Sequence, residues 1–229
     1  MPLTHARGLA AALLAAATSA CGGTTQAASP APAPQATAPA NAPLTGAEKA
    51  RADSLRYPYT AGDVHFMSAM IGHHAQAIVM SNMAPSHGAS AAVQRLADRI
   101  INAQTDEINI MQTWLRDRRQ PVPEAKPGPM KMTMGGMEHE MLMPGMLTDA
   151  QMKQLDQARD KEFDRLFLTF MIQHHRGAVS MVNDLFGTSG SAQDDTVFKF
   201  ANDVQVDQTT EIARMERMLA ALTLGINLP

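Results

Sequence analysis

The sequence predicts an all-α fold, a four-helix bundle assembled from two copies of one helical hairpin, and three observations carry that expectation. First, the segment Asp63–Met80 returns 101 positions later as Asp164–Met181. Asp63, Phe66, Met70, Ile71, His73, His74, Ala77 and Met80 are answered by Asp164, Phe167, Met171, Ile172, His174, His175, Ala178 and Met181. Second, Phe, Met, His, Ala and Met recur within each copy at spacings of 4, 3, 4 and 3, which form one stripe down a helix. Third, each copy is followed by another segment of helical period. Ala97, Gln104, Thr105, Glu107, Ile108 and Met111 in one correspond to Ala201, Gln208, Thr209, Glu211, Ile212 and Met215 in the other. No strand-like alternation interrupts this pattern, and the loops inside each unit are short and polar.

Residues 1–20 read as an export signal, with Arg7 ahead of a short apolar run from Leu9 to Ala17 and small residues behind it. Cys21, the only cysteine of the 229-residue chain, stands where a bacterial lipoprotein signal ends, although Thr18 replaces the Leu usual three places before it. A lipid anchor at Cys21 is the favoured reading, and an ordinary cleaved signal is the alternative. Residues 21–56 are expected to be a disordered tether, since Thr24 to Pro43 is almost wholly Ala, Pro, Thr, Gln and Ser and cannot bury enough apolar surface to offset ordering. The domain then spans 57–229, enough chain for a sizeable core. A formal charge of −3 gives no sign of nucleic-acid binding, and one cysteine excludes an internal disulfide. No later run approaches the ~20 apolar residues of a membrane-spanning helix.

Thr60 and Asp63 mark the start of the first helix, a hydroxyl N-cap with a carboxylate in the first turn, and Pro85 stops it. Asp63 and Asp164, both near helix starts, need no role beyond favouring the helix dipole. The second helix runs from about Ala89 to Arg118, with Val93, Leu96, Ile100, Ile108, Met111 and Leu115 as its apolar face, and Pro121 and Pro123 end it. The connection 119–147 is long enough to cross the bundle lengthwise, so up-down and crossover topologies are both compatible with it. Thr148 and Gln151 form a capping box, which predicts a short helix. The third helix carries Asp164 to Phe186, and after a polar loop the fourth runs from about Asp194 to Leu224.

The connection holds seven methionines in seventeen residues: Met130, Met132, Met134, Met137, Met141, Met143 and Met146. Glycines and a proline interrupt it, so plastic core filling explains it poorly. Thioethers are soft neutral donors that suit Cu(I), and Ag(I) on the same grounds. With His139 as its one imidazole, the loop is a candidate Cu(I) site; a linker or hydrophobic lid is the alternative. The histidine pairs are a second candidate. Adjacent residues project about 100° apart on a helix, so His73 and His174 can face the core while His74 and His175 face its edge or a neighbouring helix, with Met70, Met80, Met171 and Met181 nearby. The competing reading is packing, with each imidazole satisfied by a carboxylate. Glu107, Glu211, Gln104 and Gln208 are placed to orient the imidazoles from a second layer. Proton competition should weaken binding by the histidines as pH falls through about 6, whereas thioethers keep their lone pairs.

The two Phe-x3-Met-Ile-x-His-His-x2-Ala-x2-Met blocks, with Met-Pro-Gly-Met146 shortly before the second, resemble the bacterial family known as domain of unknown function 305 over about Asp63 to Leu222. The resemblance implies a ferritin-like four-helix bundle and membership beside CopM-type periplasmic copper-binding proteins. It points to His73, His74, His174, His175 and the methionines around them. The expected function is therefore an extracytoplasmic, lipid-anchored Cu(I)/Ag(I) binder that sequesters the metal, confers tolerance or passes it to a periplasmic copper-handling partner. Storage and delivery, like the oligomeric state, stay open. A ferritin-like iron oxidase is the enzymatic alternative, although no Glu-x-x-His motif is present: Ile110 follows Glu107 at the third place, and Arg214 follows Glu211. A metal-free interaction bundle is the third reading.

Overall fold

The computed structural model describes residues 43–226 apart from 57 and 135–136. Within these it has six helices and one two-stranded antiparallel hairpin: α1 (Gly46–Arg56), α2 (Ala61–Asn82), α3 (Ala91–Asp117), β1 (Met130–Met134), β2 (Met137–Met141), α4 (Asp149–Gln157), α5 (Asp160–Gly187) and α6 (Asp195–Thr223). The export signal, Cys21 and residues 21–42 of the tether lie outside the described residues.

Local chemistry fixes the helix ends. Thr60 accepts from the Asp63 amide while the Asp63 carboxylate accepts from Thr60 N, a reciprocal cap at the head of α2, and Thr148 with Gln151 does the same for α4. Ser90 caps α3, and Asp194 caps α6 by accepting from the amides of Thr196 and Val197. Asp63 and Asp164 also do more than favour a dipole. Asp63 Oδ1 accepts from Ala192 N at 2.6 Å and Asp164 Oδ1 from Ser90 N at 3.1 Å, so each buried carboxylate of one hairpin ties down the loop of the other.

Two apolar clusters form the core, and all four long helices feed both. One surrounds Phe163 and Phe167 and includes Met80, Leu96, Ile100, Met171 and Met215. The other surrounds Phe66 and Phe200 and includes Met70, Met111, Leu115, Met181 and Val204. Following the chain, α2 and α6 pass from the Phe66 cluster to the Phe163 cluster, and α3 and α5 pass the opposite way. Each hairpin is thus antiparallel. The chain between α3 and α5 must travel from the Phe66 cluster to the Phe163 cluster, and it does: Met143 and Met146 sit in the former, Leu147, Leu155 and Ala158 in the latter.

Three expectations are corrected. The tether does not extend to 56, because α1 forms from Gly46, with Thr45 and Glu48 capping each other and the helix packing against α3. Its Ala, Glu, Lys and Arg residues favour helix strongly enough for a reciprocal cap to nucleate it. The connection is not wholly irregular: a hairpin pairs Met130 with Met141, Met132 with His139 and Met134 with Met137 in Cα register. Finally, α2 is not buried along a single stripe. Met67, Ile71, His74, Ala75 and Gln76 are buried as well, because α3, α5 and the crossing segment enclose it from several sides.

Candidate metal centre

Between the two apolar clusters lies a polar layer. His73 and His74 on α2 and His174 and His175 on α5 have no solvent exposure. The repeat brings the inner pair together, with His73 and His174 ring centroids 3.8 Å apart and planes inclined by 38°. His74 and His175 point outward from this pair, 6.4 and 6.2 Å from their neighbours on the same helix.

Three of the four imidazoles hydrogen-bond through Nε2. His73 Nε2 donates to the Pro144 carbonyl at 2.9 Å, and His174 Nε2 donates to the His73 carbonyl at 3.0 Å. His175 Nε2 lies 2.8 Å from Glu211 Oε2 in a hydrogen bond. His74 Nε2 lies 2.7 Å from Glu107 Oε2, close enough for an ion pair but not aligned as a hydrogen bond. Carbonyls only accept, so His73 and His174 carry their proton on Nε2 and present a lone pair at Nδ1; an ionised Glu211 sets the same tautomer for His175. The Nδ1 atoms of all four histidines are buried and have no hydrogen-bond partner among the described residues. Burial drives the His73 pKa down to about 3, with the neighbouring His74 adding to the effect, and it takes His174 well below the ordinary histidine range. The expectation that protons compete near pH 6 is therefore corrected for this inner pair.

The layer is closed by the crossing segment. Pro144 and Gly145 pass so close to α5 that a Cβ on Gly177 would overlap the Pro144 carbonyl, and Gly145 takes a φ of +76°, which a side chain would strain. Gln76, the residue that Gly177 replaces in the second copy, holds Leu147 by both main-chain groups, donating to its carbonyl at 2.9 Å and accepting from its amide at 2.7 Å. Gln173 Nε2 donates to Gly145 O. The motifs assigned no role to Gln76, Pro144 or Gly177; beyond the Met-Pro-Gly-Met146 run, their one visible signal was the loss of the repeat at Gln76/Gly177.

Among the predicted second-layer groups, Glu107 and Glu211 do meet the outer imidazoles. Gln104 and Gln208 do not. Both are buried, with the Gln104 amide and Gln208 Oε1 unpartnered among the described residues, and they line a groove of about 240 Å³ between α3 and α6 together with both glutamates. Nor do all the described methionines of the run gather in one place. Met143 and Met146 are buried in the Phe66 cluster, Met130 packs against it, and Met137 and Met141 are 65 % and 51 % exposed. The side chains of Met132, Met134 and His139 lie outside those described. Met70, Met80, Met171 and Met181 are all core residues, with or without a further role. Among the described residues no three His, Cys, Asp or Glu side chains are grouped to hold a metal, so the donors on offer are imidazole pairs and thioethers. No described helix is long and apolar enough to cross a membrane.

The family model described as domain of unknown function DUF305 matches residues 63–219. No curated protein matches the chain. Among solved structures, a DUF305 protein from Streptomyces coelicolor is 30 % identical, over 71 % of this chain and 92 % of that one, with a TM-score of 0.59. A DUF305 fragment from Deinococcus radiodurans is 28 % identical over 71 % and 97 %, with a TM-score of 0.58. CopM in its Cu(I)-bound form is 28 % identical over 68 % and 94 %, with a TM-score of 0.51, and CopM is also known in Cu(II)-bound, Ag-bound and apo forms.

Proposed function

The chain belongs to the DUF305 family, and from that premise we propose that it is an extracytoplasmic binding protein for monovalent copper or silver, not an enzyme, with the paired histidines as its metal donors. The observation that carries this reading is the buried Nδ1 atom without a partner on each of the four histidines, with Nε2 of His73, His174 and His175 already committed. Leaving a buried acceptor unpaired costs about 1–3 kcal/mol, a cost that a bound ion would remove. His73 and His174 are neutral at physiological pH, as ligands must be. A soft monovalent ion is satisfied by few donors, and imidazole nitrogen is what the layer offers. The Cu(I)- and Ag-bound forms of CopM support the same assignment.

Helix order supports the finer architecture. Two antiparallel hairpins with a lengthwise crossing between them make a four-helix bundle of ferritin-like topology. Export through residues 1–20 and lipid attachment at Cys21, with the chain delivering metal to or storing it for a periplasmic partner, complete the proposal. The family neighbour described as secreted is consistent with export.

Titration of the purified apo-protein with Cu(I) and with Fe(II), each against a competing chelator, tests this. Tight Cu(I) binding, weakened by more than about tenfold in a His73→Ala/His74→Ala/His174→Ala/His175→Ala variant that stays helical, is expected. Fe(II) binding in preference to Cu(I) would favour an iron oxidase, and no binding of either would leave an interaction bundle.

A further inference from the structure

Where α2 begins, a cavity of about 170 Å³ opens between α2, α5 and the crossing segment. Four thioethers line it, those of Met130, Met141, Met143 and Met181, together with the imidazole of His65 and the side chain of Asp184. Exposure is graded across this lining. His65, Asp184 and Met141 are exposed, Met130 is half-buried, and Met143 and Met181 are buried. His65 makes no hydrogen bond or ion pair among the described residues, and it fell outside the two histidine motifs of the repeat.

Methionine as core filler packs against its neighbours and leaves little space. Here four of them instead border open volume that reaches solvent. Their inner end adjoins the histidine layer: Pro144, which also lines the cavity, accepts the His73 Nε2 hydrogen bond through its carbonyl. From outside inward the chamber therefore offers a carboxylate, an imidazole, thioethers, and then the plug over the inner histidines. Each donor type suits its depth. Asp184 attracts a cation without binding a soft ion strongly, the thioethers hold such an ion without needing to lose a proton, and flexible methionine side chains can close around it.

We propose that this chamber is a second soft-ion site, in which Met130, Met141, Met143, Met181 and His65 take up Cu(I) or Ag(I) before it reaches the histidine layer; the second half of that statement rests on the function proposed above. The sites differ in chemistry, so they separate experimentally. Ag(I) is the probe, and methionine methyl NMR of the full chain is the first readout. At substoichiometric Ag(I) the methyl signals of Met130, Met141, Met143 and Met181 should move together, while those of Met67 and Met111, buried in the core away from the chamber lining, stay in place.

The second readout uses a His65→Ala/Met130→Leu/Met141→Leu variant, which alters only exposed or half-buried positions. It should lose about one equivalent of Ag(I) and fill the histidine layer at least about tenfold more slowly, with the affinity of that layer unchanged. A variant with undiminished stoichiometry and uptake rate would overturn the chamber. If the four-histidine variant retained every equivalent, the histidine layer would fall while the chamber stood, provided the chamber variant lost its equivalent. A parent that bound no Ag(I) would overturn both.

Discussion

At His73 and His174 burial keeps the imidazoles neutral, and the pH dependence follows from the sign of that effect. The unfolded chain protonates these histidines near pH 6.5, whereas folded His73 resists down to about 3 and burial holds His174 well below its ordinary range too. Stability is therefore unaffected by the pair above about pH 6.5 and is lost as pH falls below it, at about 1.4 kcal/mol per pH unit for each residue. Thermal melts between pH 7 and pH 4 should show this loss, and a His73→Leu/His174→Leu variant should flatten the curve; an unchanged slope would mean that the pair is already protonated when folded. Any Cu(I) capacity of the inner pair should for the same reason survive at pH 5. Gln76 gives a second residue-scale expectation. Its side chain pairs both main-chain groups of Leu147 in the interior, so Gln76→Leu should cost on the order of 2–4 kcal/mol by leaving two buried groups unpaired, read as a lower denaturant midpoint.

Elements with local signals were legible in the sequence and elements with distant partners were not. Thr60, Thr148 and Asp194 cap helices through bonds to amides two or three residues away, so the starts of α2, α4 and α6 could be read from composition and spacing. The meeting of His74 with Glu107 and of His175 with Glu211 was legible for a related reason, since both pairs sit at matching places in a repeat. The crossing segment was not. Pro144 and Gly145 are placed by His73, Gln173 and Gly177, whose contacts with them no spacing reveals. The burial of Met143 and Met146 follows from that placement and not from anything in the run itself, which read as seven equivalent thioethers. At this scale Gly177→Ala is the informative change. Because the new methyl would overlap the Pro144 carbonyl, it should destabilise the domain by about 1–3 kcal/mol and break the His73 hydrogen bond. Ring-nitrogen NMR of His73 would detect that break, and a fully stable variant with unaltered His73 signals would refute the plug.

For the whole molecule, two apolar clusters fed by four helices hold the polar layer between them, so the fold needs no metal to form. The apo-protein should be helical by circular dichroism, and Cu(I) should raise its melting temperature in proportion to the logarithm of free metal, the signature of binding to a folded state. An apo-protein that gained its helices only on adding metal would invert this order of cause. Binding of the proposed metal by histidine Nδ1 atoms inside the layer is a narrower matter. Histidine ring-nitrogen NMR across an Ag(I) titration tests it most directly. The Nδ1 resonances of His73, His74, His174 and His175 should shift on binding while Nε2 of His73, His174 and His175 stays protonated. Unmoved Nδ1 signals at all four positions, with Ag(I) bound elsewhere on the chain, would contradict it.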